Sequence, residues 1–406
     1  MTGPVDAVRA AVGAVADPEL RVPLSGLDMV RDVRVDADGV AHVDLVLTVV
    51  GCPMSERIAA DVRDAAASVP GVTDAQVTLG VMSPDERAAL VERLRGRRGR
   101  RGVRSATGTR VIAVTSGKGG VGKSTVTANL AVALAATGRS VGLIDLDVHG
   151  FSIPGLMGLV DASGRAARPT RIDDMILPPV AYDVKTISIG MFLRDEDAQR
   201  AVAWRGPLLH RTVEQFLTEV HFGELDVLLL DMPPGTGDIA ITAGQLLPGA
   251  GVLVVTTPQP AAVDVAVRSG MVARQTGQHV LGVVENMAPL PLPDGTVLDL
   301  FGSGGGARAA AALSLPGEPV PLLGSIPLSP ALRAGGDVGA PIVHQGGTDP
   351  AAVALRALAD RIAALPGPAP ARRGAQNIGS TGRLPGSGDR DGSPTPDPAA
   401  PGQAQA

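Results

Sequence analysis

The sequence predicts an α/β protein: a mainly parallel sheet organised round a phosphate-binding loop, preceded by a small α+β domain and followed by a disordered C-terminal tail. Three observations carry this. The decapeptide SGKGGVGKST, Ser116 to Thr125, lies between the apolar run Val111–Val114 and the helically spaced Val126, Leu130 and Leu134, so it reads as strand, glycine-rich turn and helix start. Val/Leu/Ile-rich runs recur at 141–144, 225–230, 251–256, 280–284 and 320–323, with a further candidate strand at 184–189. Runs without alternation belong to strands covered on both faces, and hence to a parallel sheet flanked by helices. Finally, the composition changes abruptly near residues 93 and 365. The expected organisation is an α+β domain over 1–92, an Arg/Gly-rich linker over 93–108, a nucleotide-binding domain over 109–365 and a disordered tail over 366–406.

The chain of 406 residues is long enough for two or three domains with a large core. Its 36 basic and 41 acidic residues give a net charge of −5, which argues against a general nucleic-acid-coating surface. A single cysteine, Cys52, excludes an intramolecular disulfide framework and suits a reducing cytosol. No apolar stretch approaches about twenty uninterrupted residues, and MTGPVDAVRA has no signal-peptide core. The expectation is a cytoplasmic protein that engages neither membrane nor nucleic acid.

In the N-terminal segment a helix over Val5–Val15 leads to Asp17-Pro18-Glu19-Leu20, followed by strands over Val30–Val35, Val40–Val50 and Val72–Leu79. Gly51-Cys52-Pro53-Met54 breaks the pattern before a helix from Ser55 to Ser68. Cys52 therefore sits in a turn ahead of a helix, where N–H groups lower a thiol pKa. It is either a nucleophile or metal ligand, or a small buried apolar residue. Arg93 to Arg104, RLRGRRGRRGVR, has too few apolar residues to build a core and reads as a solvated linker; no aromatic residues interleave to stack on bases. Beyond Leu365 the Pro, Gly, Ser and Ala residues bury too little to offset the entropy of ordering.

Gly117, Gly122, Lys123 and Ser124 satisfy G-x-x-x-x-G-K-[ST]. In such a loop, Gly117, Lys118, Gly119, Gly120, Val121, Gly122, Lys123, Ser124 and Thr125 curl backbone N–H groups round the phosphates of ATP, and the helix opening at Lys123 adds its positive end. Lys123 neutralises the β and γ phosphates and the Ser124 hydroxyl holds Mg²⁺. Lys118 is one charge more than cradling requires. Ligands of such sheets lie at the carboxyl ends of the strands, and the acids collect there. Asp231 closes the strongest apolar run and opens DMPPGTGD, as a magnesium-binding carboxylate does; Asp145 and Asp147 end the strand after the loop helix. His149 close by reads as a solvated loop histidine.

KGGVGKST resembles the deviant Walker A motif of the MinD/ParA/Mrp group of ATPases, and that resemblance implies that Lys118 reaches the nucleotide of a partner subunit in a homodimer. It also implies that Asp147 orients the attacking water while Asp145 supports the metal shell. A carboxylate with an ordinary pKa near ~3.9 is a poor base at neutral pH, so the role is positioning rather than proton abstraction. Asn286, in Glu285-Asn286-Met287 after a candidate strand, falls where this group hydrogen-bonds adenine; a side chain capping the next turn is the alternative.

DPEL followed by TVVGCPMSERI is similar to the small domain of MIP18-type and SufT-type iron-sulfur assembly proteins, which often carry a cysteine at the turn of Cys52. GKGGVGKST, DLDVHGFSIPG, WRGP at Trp204–Pro207, DMPPGTGD, ENM and FGSGGG at Phe301–Gly306 together resemble the Mrp-type iron-sulfur cluster carrier ATPases over nearly all of residues 1–365. The resemblance implies slow ATP hydrolysis, a homodimer, and apoproteins or assembly factors as partners.

One departure matters. Many members carry C-x-x-C between ENM and the FG-x-GGG segment, whereas Ala288–Leu300 here reads APLPLPDGTVLDL. A [4Fe-4S] cluster takes four thiolates, and a dimer supplies two copies of Cys52. Either Cys52 acts with outside ligands such as a small thiol, or the protein serves assembly without holding a cluster, or the ATPase has been reassigned. A positioning ATPase of the MinD/ParA kind is the competing reading; it calls for a terminal basic amphipathic helix or a basic face on the nucleotide-binding domain.

Overall fold

The computed structural model describes residues 3–49, 54–96, 108–147, 150–173, 175–192, 206–292 and 294–366. Cys52, His149, Trp204, the stretch 97–107 and the tail from 367 lie outside the described residues.

The N-terminal part runs α1 Pro4–Ala14, β1 Val30–Val35, β2 Val40–Leu47, α2 Ser55–Ala67, β3 Asp74–Val81 and α3 Pro84–Gly96. Its sheet has the order β1-β2-β3, with the first pair antiparallel and the second parallel. Val8 and Val12 of α1, Ile58 and Val62 of α2, and Val43 and Leu45 of β2 meet in one core, as one-sided helices and a half-covered sheet require. The third helix reaches Gly96, four residues into the stretch whose composition reads as linker. Leu90, Val91 and Leu94 anchor it in the core, and the Arg93 guanidinium pairs with Asp28.

The larger part runs β4 Arg110–Ser116, α4 Lys123–Ala136, β5 Val141–Asp145, α5 Ser152–Leu156, β6 Thr170–Ile172, β7 Met175–Leu177, β8 Val180–Ala181, β9 Val184–Ser188, α6 Gly206–Thr218, β10 Val227–Asp231, α7 Asp238–Leu246, β11 Gly251–Thr256, α8 Pro260–Gln275, β12 His279–Ala288, β13 Leu290–Pro291, β14 Val297–Leu298, α9 Gly305–Leu313, β15 Leu322–Pro327, α10 Pro330–Asp337 and α11 Pro350–Ala364. Among the described residues the main sheet has eight strands in the order β15-β12-β11-β4-β10-β5-β9-β8, parallel except for the β8 edge. Residues alternate between two cores. Leu228 and Leu230 of β10 enter one and Val227 and Leu229 the other, so both faces are covered and the run is continuously apolar. Helix α4, buried along almost its whole length, lies between the sheet and α11.

Two features depart from expectation. Strand β12 continues through Glu285, Asn286 and Met287, which therefore lie inside a strand rather than after one. The Glu285 carboxylate accepts the Gly306 N–H at 2.6 Å, which lets a charged residue remain buried there. The hairpin β6–β7 is shared by two cores: Ile172, Met175 and Leu177 belong to that of the N-terminal sheet, while Ile176 between them belongs to a core of the main sheet. Around it the Thr170 hydroxyl donates to buried Glu19 at 3.2 Å, and Arg21 donates to the Asp183 carbonyl at 2.5 Å. Among the described residues no helix is long and apolar enough to cross a membrane.

Candidate nucleotide site

The loop between β4 and α4 is shaped by its glycines. A Cβ at Gly117 would lie 2.1 Å from the Val265 carbonyl carbon, so only glycine lets the loop leave β4 against α8. Gly120 and Gly122 adopt φ of 79° and 80°, the left-handed region that L side chains rarely enter. Helix α4 then begins at Lys123, directing its first N–H groups into the concavity. The loop of DMPPGTGD closes on the same place: Gly235 N–H donates to the Ser116 carbonyl at 2.8 Å and Met232 N–H to that of Val114 at 3.0 Å.

Strand register brings the acids together. Asp231 pairs across to Asp145, and Asp145 to Ser188, so three strand ends carry polar side chains in a row. Fully buried Asp231 accepts Lys123 Nζ at 2.7 Å and Ser124 Oγ at 2.6 Å on Oδ2, and the Thr127 hydroxyl at 2.8 Å on Oδ1. Lys123 Nζ also stands 3.9 Å from Asp147 Oδ2. Asp145 accepts the Asp147 N–H at 3.0 Å and the Ser188 hydroxyl at 2.9 Å. Burial pushes the Asp145 carboxyl well above the usual carboxylate range, and the charge of Asp231 adds to it.

The remaining predicted residues lie round this centre. The Asn286 amide donates to the Val121 carbonyl at 2.9 Å, and a Cβ on Gly122 would meet its Nδ2 at 2.2 Å; Asn286 thus braces the phosphate loop rather than capping a turn. Beside it opens a cavity of about 250 Å³ lined by Gly122, Thr125, Asn286, Met287, Leu328 and Arg333. Val121 is buried, Gly119 and Gly120 are exposed, and Lys118 is half-exposed, its ammonium without a hydrogen bond or ion pair among the described residues. Cys52 cannot be placed relative to this site, since it is outside the described residues. Two residues in contact with the aspartates escaped sequence reasoning. Thr127 was signalled by its position one helical turn after Lys123, and Ser188 by closing a strand next to Asp145 as a polar residue.

Among the described residues no group of three or more His, Cys, Asp or Glu is arranged to hold a metal ion by itself. The donors that converge are instead a lysine, two hydroxyls and one carboxylate beside a helix N-terminus, an arrangement suited to a phosphate chain with a hard cation.

Residues 108–363 match the family model described as the NUBPL iron-transfer P-loop NTPase. The chain belongs to this family. Its residues 5–79 match a second model, an iron-sulfur cluster assembly protein, so the P-loop NTPase carries that module at its N-terminal side. An iron-sulfur cluster carrier protein of Mycobacterium tuberculosis is 51% identical over 358 residues, covering 87% of this chain and 92% of the relative. A protein of the same description from Synechocystis is 42% identical over 361 residues, covering 88% and 96%. Among solved structures, a nucleotide-binding protein from Archaeoglobus fulgidus in complex with ADP is 36% identical, with a TM-score of 0.47, over 57% of this chain and 87% of that one.

Proposed function

We propose that the chain is an ATP-hydrolysing iron-sulfur cluster carrier, working as a homodimer that delivers clusters to apoproteins, with the N-terminal part, through Gly96, and residues 109–365 as its two working domains. The observation that carries the hydrolytic part is the convergence of Lys123, Ser124 and Thr127 on buried Asp231 at the mouth of the glycine loop. Cluster carriage is supported by relatives so described that are similar across both parts of the chain. No observation favours the positioning-ATPase reading.

The loop amides and the start of α4 bind the phosphates, and Lys123 exchanges Asp231 for the β and γ oxygens. Ser124 and Asp231 are hard oxygen donors 2.6 Å apart, a set that fits Mg²⁺ completed by phosphate and water, with Asp145 supporting it from the adjoining strand. When bound, Mg²⁺ neutralises charge on the transferring phosphoryl group. Asp147, whose Oδ2 stands 3.9 Å from Lys123 Nζ, orients the attacking water. Asn286 and the adjoining cavity receive the base. Lys118, its ammonium uncommitted among the described residues, reaches the nucleotide of the partner subunit.

Cluster ligation is the sparser part of the chain's equipment. Each copy supplies one thiol, Cys52, and the window Ala288–Leu300 supplies none. The cargo is therefore held by two Cys52 thiolates with small thiols from solution.

Two experiments test the two halves. Lys123→Ala is expected to lower Mg-ATP-dependent phosphate release at least about 100-fold, and retained turnover would displace the site. In anaerobic reconstitution with iron, sulfide and glutathione, the wild type is expected to show charge-transfer absorbance and bound iron that Cys52→Ala lacks. Equal iron in both would remove Cys52 from the ligand set.

A further inference from the structure

The geometry points to Ser188 as a positioning residue for hydrolysis, one that fixes the Asp145–Asp147 turn and through it the attacking water. The inference rests on the hydrolytic reading above and deepens it.

Ser188 closes β9 directly opposite Asp145 of β5 and is fully buried. Its hydroxyl accepts the Gly190 N–H at 3.1 Å and donates to Asp145 Oδ2 at 2.9 Å. With the acceptor side engaged by Gly190, the single O–H is aimed at the carboxylate. The other oxygen of Asp145 accepts the backbone N–H of Asp147 at 3.0 Å. A chain of hydrogen bonds thus runs from the turn after β9 to the residue whose side chain faces Lys123.

The same turn meets the chain again beyond the aspartates. A Cβ at Gly190 would lie 2.8 Å from both Cβ and Cγ of Phe151, so the backbone at Gly190 is pressed against the residue that precedes α5. One short stretch therefore meets the chain at two points, Ser188 at Asp145 and Gly190 at Phe151. Neither residue hydrogen-bonds the phosphate loop among the described residues, so the loop's hold on the phosphates does not depend on them. Placement of Asp147 does, and misplacing an orienting group by about 1 Å costs on the order of 100-fold in rate.

The test is steady-state phosphate release together with Mg-ADP binding by calorimetry, on the full chain. Ser188→Ala is expected to lower kcat about 10- to 100-fold with nucleotide affinity changed less than about 3-fold. Ser188→Thr, which restores the hydroxyl, is expected to recover most of the loss. Phe151→Ala, which relaxes the second of these contacts at a half-buried position, is expected to lower kcat in the same way and keeps the test available if Ser188→Ala fails to fold. A normal kcat in folded Ser188→Ala, or equal losses of kcat and affinity that threonine does not restore, would overturn the inference. A wild type that binds Mg-ATP yet releases no phosphate would sink the hydrolytic reading and this inference with it.

Discussion

At the level of single residues, burial shifts an acid outside the nucleotide site as it shifts Asp145 within it. Glu19 is buried beneath the β6–β7 hairpin, facing Asp17 on its own segment, Thr170 of β6 and Lys185 of β9. Burial pushes its carboxyl up to about 7, and the neighbouring Asp17 charge contributes. Unfolded, the same group ionises near its ordinary 4.5. The folded chain therefore binds more protons than the unfolded one between these values, and stability falls as pH rises through that window. The full deficit stands above about pH 7 and amounts to about 3 kcal/mol. Chemical denaturation at pH 5 and pH 8 is expected to show most of this loss in the wild type, and Glu19→Gln is expected to flatten it. An unchanged pH slope in Glu19→Gln would assign the dependence to other groups.

At the scale of elements, what the sequence disclosed follows from how each one is stabilised. Strand β11 carries its evidence in six consecutive residues buried on both faces, so composition alone located it at Gly251–Thr256. The glycine loop was equally plain, since its backbone demands glycine at Gly117 and Gly122. The β6–β7 hairpin was not legible. Its strands are three residues each, and the apolar residues of β7 belong alternately to two different cores. No local period reveals a partner about 150 residues away in sequence. The end of β12 was missed for a related reason: Glu285 and Asn286 look like loop residues until Gly306 and Val121 satisfy them. The hairpin's weight is open to measurement. Ile172 is wholly buried among N-terminal side chains. Ile172→Ala is expected to cost about 2–5 kcal/mol, and hydrogen exchange is expected to rise in α1 and β2 before it rises in β10 or β11. Uniform loss of protection would show that the hairpin serves the main sheet instead.

At the scale of the whole molecule, that hairpin decides whether two parts of the chain unfold as one. Multidomain chains ordinarily unfold in steps, yet here a hairpin of the larger part completes the N-terminal core, so that core is not whole without the larger part. Nucleotide supplies a probe, because its proposed site lies at β4, β5 and β10, far along the chain from α1. A ligand at 100 times its Kd stabilises the folded state by about 2.7 kcal/mol. If the cores are coupled, Mg-ADP is expected to move the whole calorimetric endotherm upward by a few degrees. In Ile172→Ala the endotherm is expected to split, with Mg-ADP shifting only the component that reports the main sheet. Two wild-type endotherms of which one ignores nucleotide would mean that the N-terminal part folds independently and that the shared hairpin transmits nothing between them.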